Sequence, residues 1–242
     1  MKRPYRIAPV CLLALLASAS AIGAAKPLDA NEEITDASQG FDYLVYAVTW
    51  QPGFCVLKPD IAGCTRPPQR FLTHGIWPYR NSTAAKTNRH PAYCNTAPSC
   101  QNAQACDISE DNLAQITREL TSTNLVPEQP EAMFRYEWQK HGSCSGKSDR
   151  YYFADIVNLR KVVDFKKDAF NLLVGQSPVF SELRRLFPSN TSFRCFIKDG
   201  KQYLHEVFYL IDRQGAPYTA DTTLQIGTAC LEQPTYVPRG EP

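Results

Sequence analysis

Eight cysteines lie downstream of residue 25, at positions 55, 64, 94, 100, 106, 144, 195 and 230, and they restrict the folds open to this chain more than any other feature. A ninth, Cys11, sits in a leader. Met1–Ala25 opens on Lys2, Arg3 and Arg6, runs through the apolar stretch Val10–Ala19 and closes on small residues, the layout of a secretory signal peptide. The apolar stretch falls short of the roughly 20 residues a membrane span needs, which weighs against an uncleaved anchor. An even number of cysteines in an exported chain reads as up to four disulfides. Their spacing leaves the pairing open, since eight cysteines allow about a hundred full pairings. Only Cys55 with Cys64 and Cys100 with Cys106 are near enough to suggest local loops. Zinc is the competing reading, but no Cys-x-x-Cys pair occurs and the four histidines are scattered.

Cleavage near Ala24 or Ala25 leaves roughly 217 residues, enough for one domain with a core. It also removes three basic residues and no acidic ones, so the formal charge moves from +2 to −1. A slightly acidic chain is not a general polyanion binder, and any nucleic-acid recognition must be local.

Residues 26–40 are polar and acidic and read as a flexible lead-in. Phe41–Trp50 alternates with both faces apolar, which predicts a strand buried on both sides and ended by Pro52-Gly53. Phe71–Ile76 reads as a second strand stopped by Pro78. Residues 80–106 read as a long loop held by disulfides. A helix begins near Ile108, with Leu113, Ile116 and Leu120 on one face and Ser109 or Asp107 as cap. Further helices are expected over Met133–His141, within Tyr151–Val174, and after Ser177-Pro178. Lys201–Asp212 alternates as a strand, and residues 234–242 read as a flexible tail. With no repeats, residues 41–233 form one domain. The expected class is α+β: a central, mainly antiparallel sheet flanked by helices and stapled by disulfides.

Two segments carry chemistry. In Glu137-Trp138-Gln139-Lys140-His141-Gly142-Ser143-Cys144 a helix would place Glu137, Lys140 and His141 on one face, against the plainer reading of a solvated ion-paired face. In His74-Gly75-Ile76-Trp77-Pro78 a histidine ends a strand, and a partly exposed Trp77 indole would stack on a nucleobase unless it is simply core. Two imidazoles suit RNA cleavage. One takes the 2′-hydroxyl proton and the other protonates the departing 5′-oxygen, and an ordinary histidine pKa near 6.5 allows both forms. Lys140 and Glu137 would stabilise the charge that builds on phosphorus, with no metal or cofactor called for. His90 and His205 read as structural or solvent-facing. A Cys144 thiol nucleophile is the lesser reading, because a disulfide is the usual state of a cysteine in an exported protein.

Both segments resemble the active-site segments of the ribonuclease T2 family, usually His-Gly-Leu-Trp-Pro in the first. Phe41–Cys55 and Leu204-His205-Glu206-Val207 through Asp212 are similar to the family's first and late strands, so the resemblance covers most of the mature chain. It is greatest to exported bacterial members. The resemblance implies His141 as general base, His74 as general acid, Glu137 and Lys140 as transition-state stabilisers, and Trp77 as a base contact. It implies the pairs Cys94–Cys144 and Cys195–Cys230, then Cys55–Cys64, with Cys100–Cys106 remaining. Tyr136 stands where many members carry a phosphate-binding histidine; its hydroxyl can still donate but carries no charge. Leu210 replaces a cysteine of many plant members. The implied activity is metal-independent cleavage of single-stranded RNA with little base preference, through 2′,3′-cyclic phosphates to 3′-phosphates. A periplasmic or secreted monomer is expected, with no DNA cleavage and no membrane attachment after leader removal. The alternative is a non-catalytic RNA-binding or signalling protein on the same scaffold.

Overall fold

The computed structural model describes residues 28–100 and 106–241; the leader lies outside them. In chain order the strands are β1 (Glu32–Ile34), β2 (Tyr43–Trp50), β3 (Phe71–Tyr79), β4 (Asn88–His90), β5 (Thr191–Lys198), β6 (Lys201–Ile211) and β7 (Thr235–Tyr236). The helices are α1 (Gln51–Leu57), α2 (Glu110–Thr121), α3 (Glu131–Lys140), α4 (Asp149–Asn158), α5 (Lys167–Leu173) and α6 (Phe180–Arg184). The main sheet runs β3-β2-β6-β5, antiparallel throughout, with β7 added parallel to β6. The chain is thus α+β, as its sequence pattern implies.

β2 is central and every one of its residues is buried. One face (Leu44, Tyr46, Val48, Trp50) packs with Phe134, Trp138, Phe153 and Phe170 from the helices. The other (Tyr43, Val45, Ala47) packs with Trp77, Tyr79, Phe208, Leu210 and Leu224. That double covering explains the apolar character of both faces of β2 in the sequence. Ser109 caps α2, accepting a hydrogen bond from the Asn112 backbone N–H at 3.3 Å.

Five expectations need correction. β3 does not stop at Pro78 but runs to Tyr79, with Pro78 opposite Leu44; it is the end strand of the sheet, where a missing N–H is tolerated. The lead-in is not loose throughout, because β1 pairs in parallel with β4, placing Ile34 opposite His90. Residues 80–106 therefore include a strand. The tail from 234 is also anchored: β7 joins the sheet, Val237 is fully buried, and the Pro238 carbonyl accepts the Trp50 indole N–H at 2.9 Å. Ser177-Pro178 does not cap a helix; α6 begins at Phe180 with Val179 at the N-cap position.

The disulfides are Cys55–Cys64, Cys94–Cys144, Cys100–Cys106 and Cys195–Cys230. Cys94–Cys144 spans 50 residues and ties the loop after β4 to the turn that follows α3. Closing a loop of that length restricts the unfolded chain by about 4 kcal/mol. A Cys94→Ser/Cys144→Ser variant is expected to lose close to that stability in urea unfolding. A loss under about 1 kcal/mol would mean that the unfolded chain is already confined there.

Candidate functional site

The two motif segments meet at one cleft of about 440 Å³, lined by His74, Trp77, His90, Tyr136, Lys140 and His141 among others. β3 supplies His74, and its direction comes from a bulge. Gly75 pairs with Ala47 and Thr73 with Val48, so His74 is the extra residue between them. A bulge bends the strand and re-aims a side chain. Here it turns the imidazole between two carboxylates, Glu206 Oε1 at 2.6 Å from Nδ1 and Glu137 Oε1 at 3.3 Å from Nε2.

α3 supplies Tyr136, Glu137 and Lys140, while His141 is one residue past the helix, at its C-cap with φ −121° and ψ −49°. The shared helical face expected for Glu137, Lys140 and His141 is therefore broken at its last member. Glu137 is buried and bridges the motifs: one oxygen faces His74 and the other accepts the Trp77 indole N–H. Trp77 is 5% exposed, so the expected solvent-facing indole is not found. Its ring separates the two imidazoles instead, edge-on to His74 at 5.3 Å and stacked on His141 at 5.0 Å. Tyr136 is nearly half exposed on the cleft wall, with the Lys140 ammonium 5.7 Å from its ring centre. Burial pushes the Tyr136 hydroxyl pKa up, which keeps it a donor.

The surroundings shift the two histidines in opposite directions. Burial disfavours a charge on His74, but Glu137 and Glu206 outweigh it and push the pKa up to about 10. For His141 nothing outweighs burial, and His90, Lys140 and His74 add repulsion, so its pKa falls well below the ordinary value. Its Nδ1 meets no hydrogen-bond partner among the described residues. At neutral pH His74 is thus the imidazolium of this pair and His141 the neutral imidazole.

Two residues beside His74 and His141 were not placed at the cleft by sequence reasoning. Glu206, on β6, is buried, and its pKa falls: burial opposes the charge, but His74 leads the neighbours that favour it. An acid immediately before the apolar run Val207–Ile211, within a buried strand, was the available signal, because a buried carboxylate needs a partner. His90 was read as structural or solvent-facing. It is buried on the cleft wall, its ring 5.4 Å from His141, with Nε2 3.0 Å from Glu32 Oε1. That hydrogen bond is the main cause that lowers the Glu32 carboxyl to about 2. His205 is buried between the Phe54 and Phe196 rings, away from the cleft lining, and burial lowers it to about 4. All four disulfides engage their cysteines, Cys144 included. Among the described residues no group of three or more His, Cys, Asp or Glu side chains is arranged to hold a metal ion, and no helix is long and apolar enough to cross a membrane.

The family model described as "Ribonuclease T2 family" matches residues 41–223. A "Probable ribonuclease" of Haemophilus influenzae is 25% identical over 174 residues, which is 65% of this chain and 58% of that protein. "Ribonuclease S-7" of Nicotiana alata is 29% identical over 134 residues, 55% of this chain and 54% of that protein. The chain thus spans little more than half the length of these two relatives. Among solved structures, RNase NT in complex with 5′-AMP superposes with a TM-score of 0.60 at 16% identity, covering 82% of this chain and 98% of that one.

Proposed function

Because the chain belongs to the ribonuclease T2 family, we propose that it is an endoribonuclease that cleaves single-stranded RNA by transphosphorylation. The observation that carries this reading is that two imidazoles pack against one indole, one favoured in its protonated form by two carboxylates and the other favoured neutral by burial. His141, held neutral, takes the proton of the ribose 2′-hydroxyl. The 2′-oxygen attacks phosphorus, and the internal nucleophile saves much of the entropic cost of a bimolecular step. His74, held protonated, gives its proton to the departing 5′-oxygen as the P–O5′ bond breaks, leaving a 2′,3′-cyclic phosphate. Lys140 and the Tyr136 hydroxyl reach the same cleft as donors for the phosphoryl oxygens. Glu137 works through His74 and Trp77, which it touches, rather than as a free stabiliser. In the second step water replaces the 5′-oxygen and the histidines exchange roles, yielding a 3′-phosphate.

The exposed face of Tyr136 suits stacking on a base, with Trp77 offering only the part of its ring that lines the cleft. Stacking alone reads no sequence, which supports weak base preference. The 5′-AMP bound by RNase NT supports nucleotide occupancy of this fold. The basic, apolar leader and four disulfides support export to a periplasm or beyond. Nothing in the mechanism calls on a partner subunit.

The protein is expected to cleave single-stranded RNA undiminished in excess EDTA, to release cyclic-phosphate ends first, and to leave DNA intact, since DNA lacks the 2′-hydroxyl. DNA hydrolysis at a comparable rate, or loss of RNA cleavage with chelator, would refute the proposal. RNA binding without cleavage would favour the non-catalytic alternative.

A further inference from the structure

His74 faces a second carboxylate that neither motif contains. Across the sheet, Thr49, Glu206 and Arg194 occupy one row, Thr49 opposite Glu206 on β2/β6 and Arg194 opposite Glu206 on β5/β6. The row ends beside the bulge that projects His74. Glu206 Oε1 accepts from His74 Nδ1 at 2.6 Å and from the Thr49 hydroxyl at 3.1 Å, while Oε2 accepts from Arg194 at 3.0 Å. Both oxygens are thus occupied, and the carboxylate is buried. A second bulge lies in β6 itself: Arg194 pairs with Glu206 and Cys195 with Leu204, leaving His205 as the extra residue next to Glu206. Gly227 packs on Arg194, since a Cβ there would lie 2.7 Å from its Nε. The arginine is therefore held from outside as well.

We infer that Glu206, held by Arg194 and Thr49, is the positioning residue of the general acid: it fixes the His74 ring through Nδ1–H and thereby turns Nε2–H toward the leaving 5′-oxygen. The ionised carboxylate fills the role a buried aspartate fills behind a catalytic histidine, orienting the ring and stabilising its imidazolium without taking the proton. The balance of the step is unchanged. The 2′-O–P bond forms, P–O5′ breaks, the 2′-hydroxyl proton goes to His141, and the His74 Nε2 proton goes to O5′. Glu137 does not duplicate this role, because it lies at Nε2, where the leaving oxygen must approach, and is shared with Trp77. The other charged side chains lining the cleft, Asp29, Glu32, Lys140 and Arg194, make no hydrogen bond to His74 Nδ1 among the described residues, where Glu206 is the acceptor.

This inference rests on the proposed cleavage reaction and is tested by changing how much acid the reaction needs. RNA leaves as a poor alkoxide that must be protonated; uridine 3′-(4-nitrophenyl phosphate) leaves as a stable phenolate that need not be. His74→Ala sets the reference, with a large loss in kcat on RNA and a small one on the ester. Glu206→Gln is expected to reproduce the pattern, losing at least about tenfold in kcat on RNA while staying within about threefold on the ester, with KM unchanged on both. Equal losses on both substrates, or none on either, in folded Glu206→Gln overturn the inference. If near-UV circular dichroism shows that Glu206→Gln is unfolded, the same comparison is read on Glu206→Gln/Arg194→Gln, which leaves no charge of this pair uncompensated. A wild-type protein that cleaves neither substrate refutes the reaction and this inference together. A His74→Ala variant without the split refutes the acid assignment. A split in His74→Ala that folded Glu206→Gln lacks refutes the positioning role alone.

Discussion

Replacing His141 by alanine is expected to lower kcat/KM on single-stranded RNA by about 10²–10⁴-fold, and His74→Ala to do the same, the range that a positioned proton-transfer group contributes. The double variant should be little worse than either single one if the two groups serve one displacement, as proposed. The pH profile carries more information than the size of the loss. In the proposed reaction His141 must be deprotonated to act, and its pKa lies well below the ordinary 6.5, so the acid limb belongs well below 6.5. His74 must be protonated to act, and it remains so until pH approaches about 10. Activity should therefore form a broad plateau through neutrality, instead of the narrow bell of two ordinary histidines. Stability has its own sign. The raised pKa of His74 stabilises the fold fully below pH 6.5, and that contribution is lost as pH rises through about 10. The depressed pKa of His141 works the other way, costing stability as pH falls below 6.5. Stopped-assay rates from pH 4 to 10 test the profile. A bell centred near 6.5 would show that the carboxylates do not control His74, and either single variant within about tenfold of wild type would remove that histidine from the chemistry.

Much of this site was legible because it consists of short, local runs. Glu137, Lys140 and His141 lie within five residues, and His74 and Trp77 within four, so chemistry could be argued from spacing. The double-sided burial of β2 could be read because alternation survives in both of its faces. What could not be read is register. Nothing in Thr73-His74-Gly75 announces that His74 is a bulge; that depends on how β3 slides against β2. The same holds for Thr49, Glu206 and Arg194, which are distant in the chain and become neighbours only once β2, β5 and β6 pair. Helix periodicity carried Glu137 and Lys140 to the right face but overran by one residue at His141, where Gly142 leads into a tight turn. The lead-in misled for a different reason. Three residues of β1 have too little pattern to read, and their strand exists because β4 offers a parallel edge. Through it Glu32 reaches His90, and the cleft wall extends upstream of the family-matched segment, which begins at residue 41.

Gly75→Ala is expected to damage both activity and folding, although it adds a single methyl group. The glycine sits between the histidine and tryptophan of the first motif, where the Glu137 side chain from α3 reaches β3. A Cβ there would lie 2.2 Å from Glu137 Oε2 and 2.4 Å from the Trp77 indole nitrogen. A surface glutamate would swing away at little cost. Glu137 is 1% exposed and held by both Trp77 and His74, so relief requires giving up one of these contacts. Trp77 has no freer route, since its ring is wedged between His74, His141 and Phe208. Overpacking of this kind costs about 1–3 kcal/mol, which urea unfolding would register. The functional loss should be larger in proportion, because the displaced indole packs on both imidazoles, and an error near 1 Å in a reacting group is enough for about 10²-fold in rate. Cleavage of RNA by Gly75→Ala is therefore expected to fall about 10²-fold or more, with the loss in kcat rather than KM. A folded Gly75→Ala variant within about threefold of wild type would show that the Trp77–Glu137 contact is not what holds the two histidines in place.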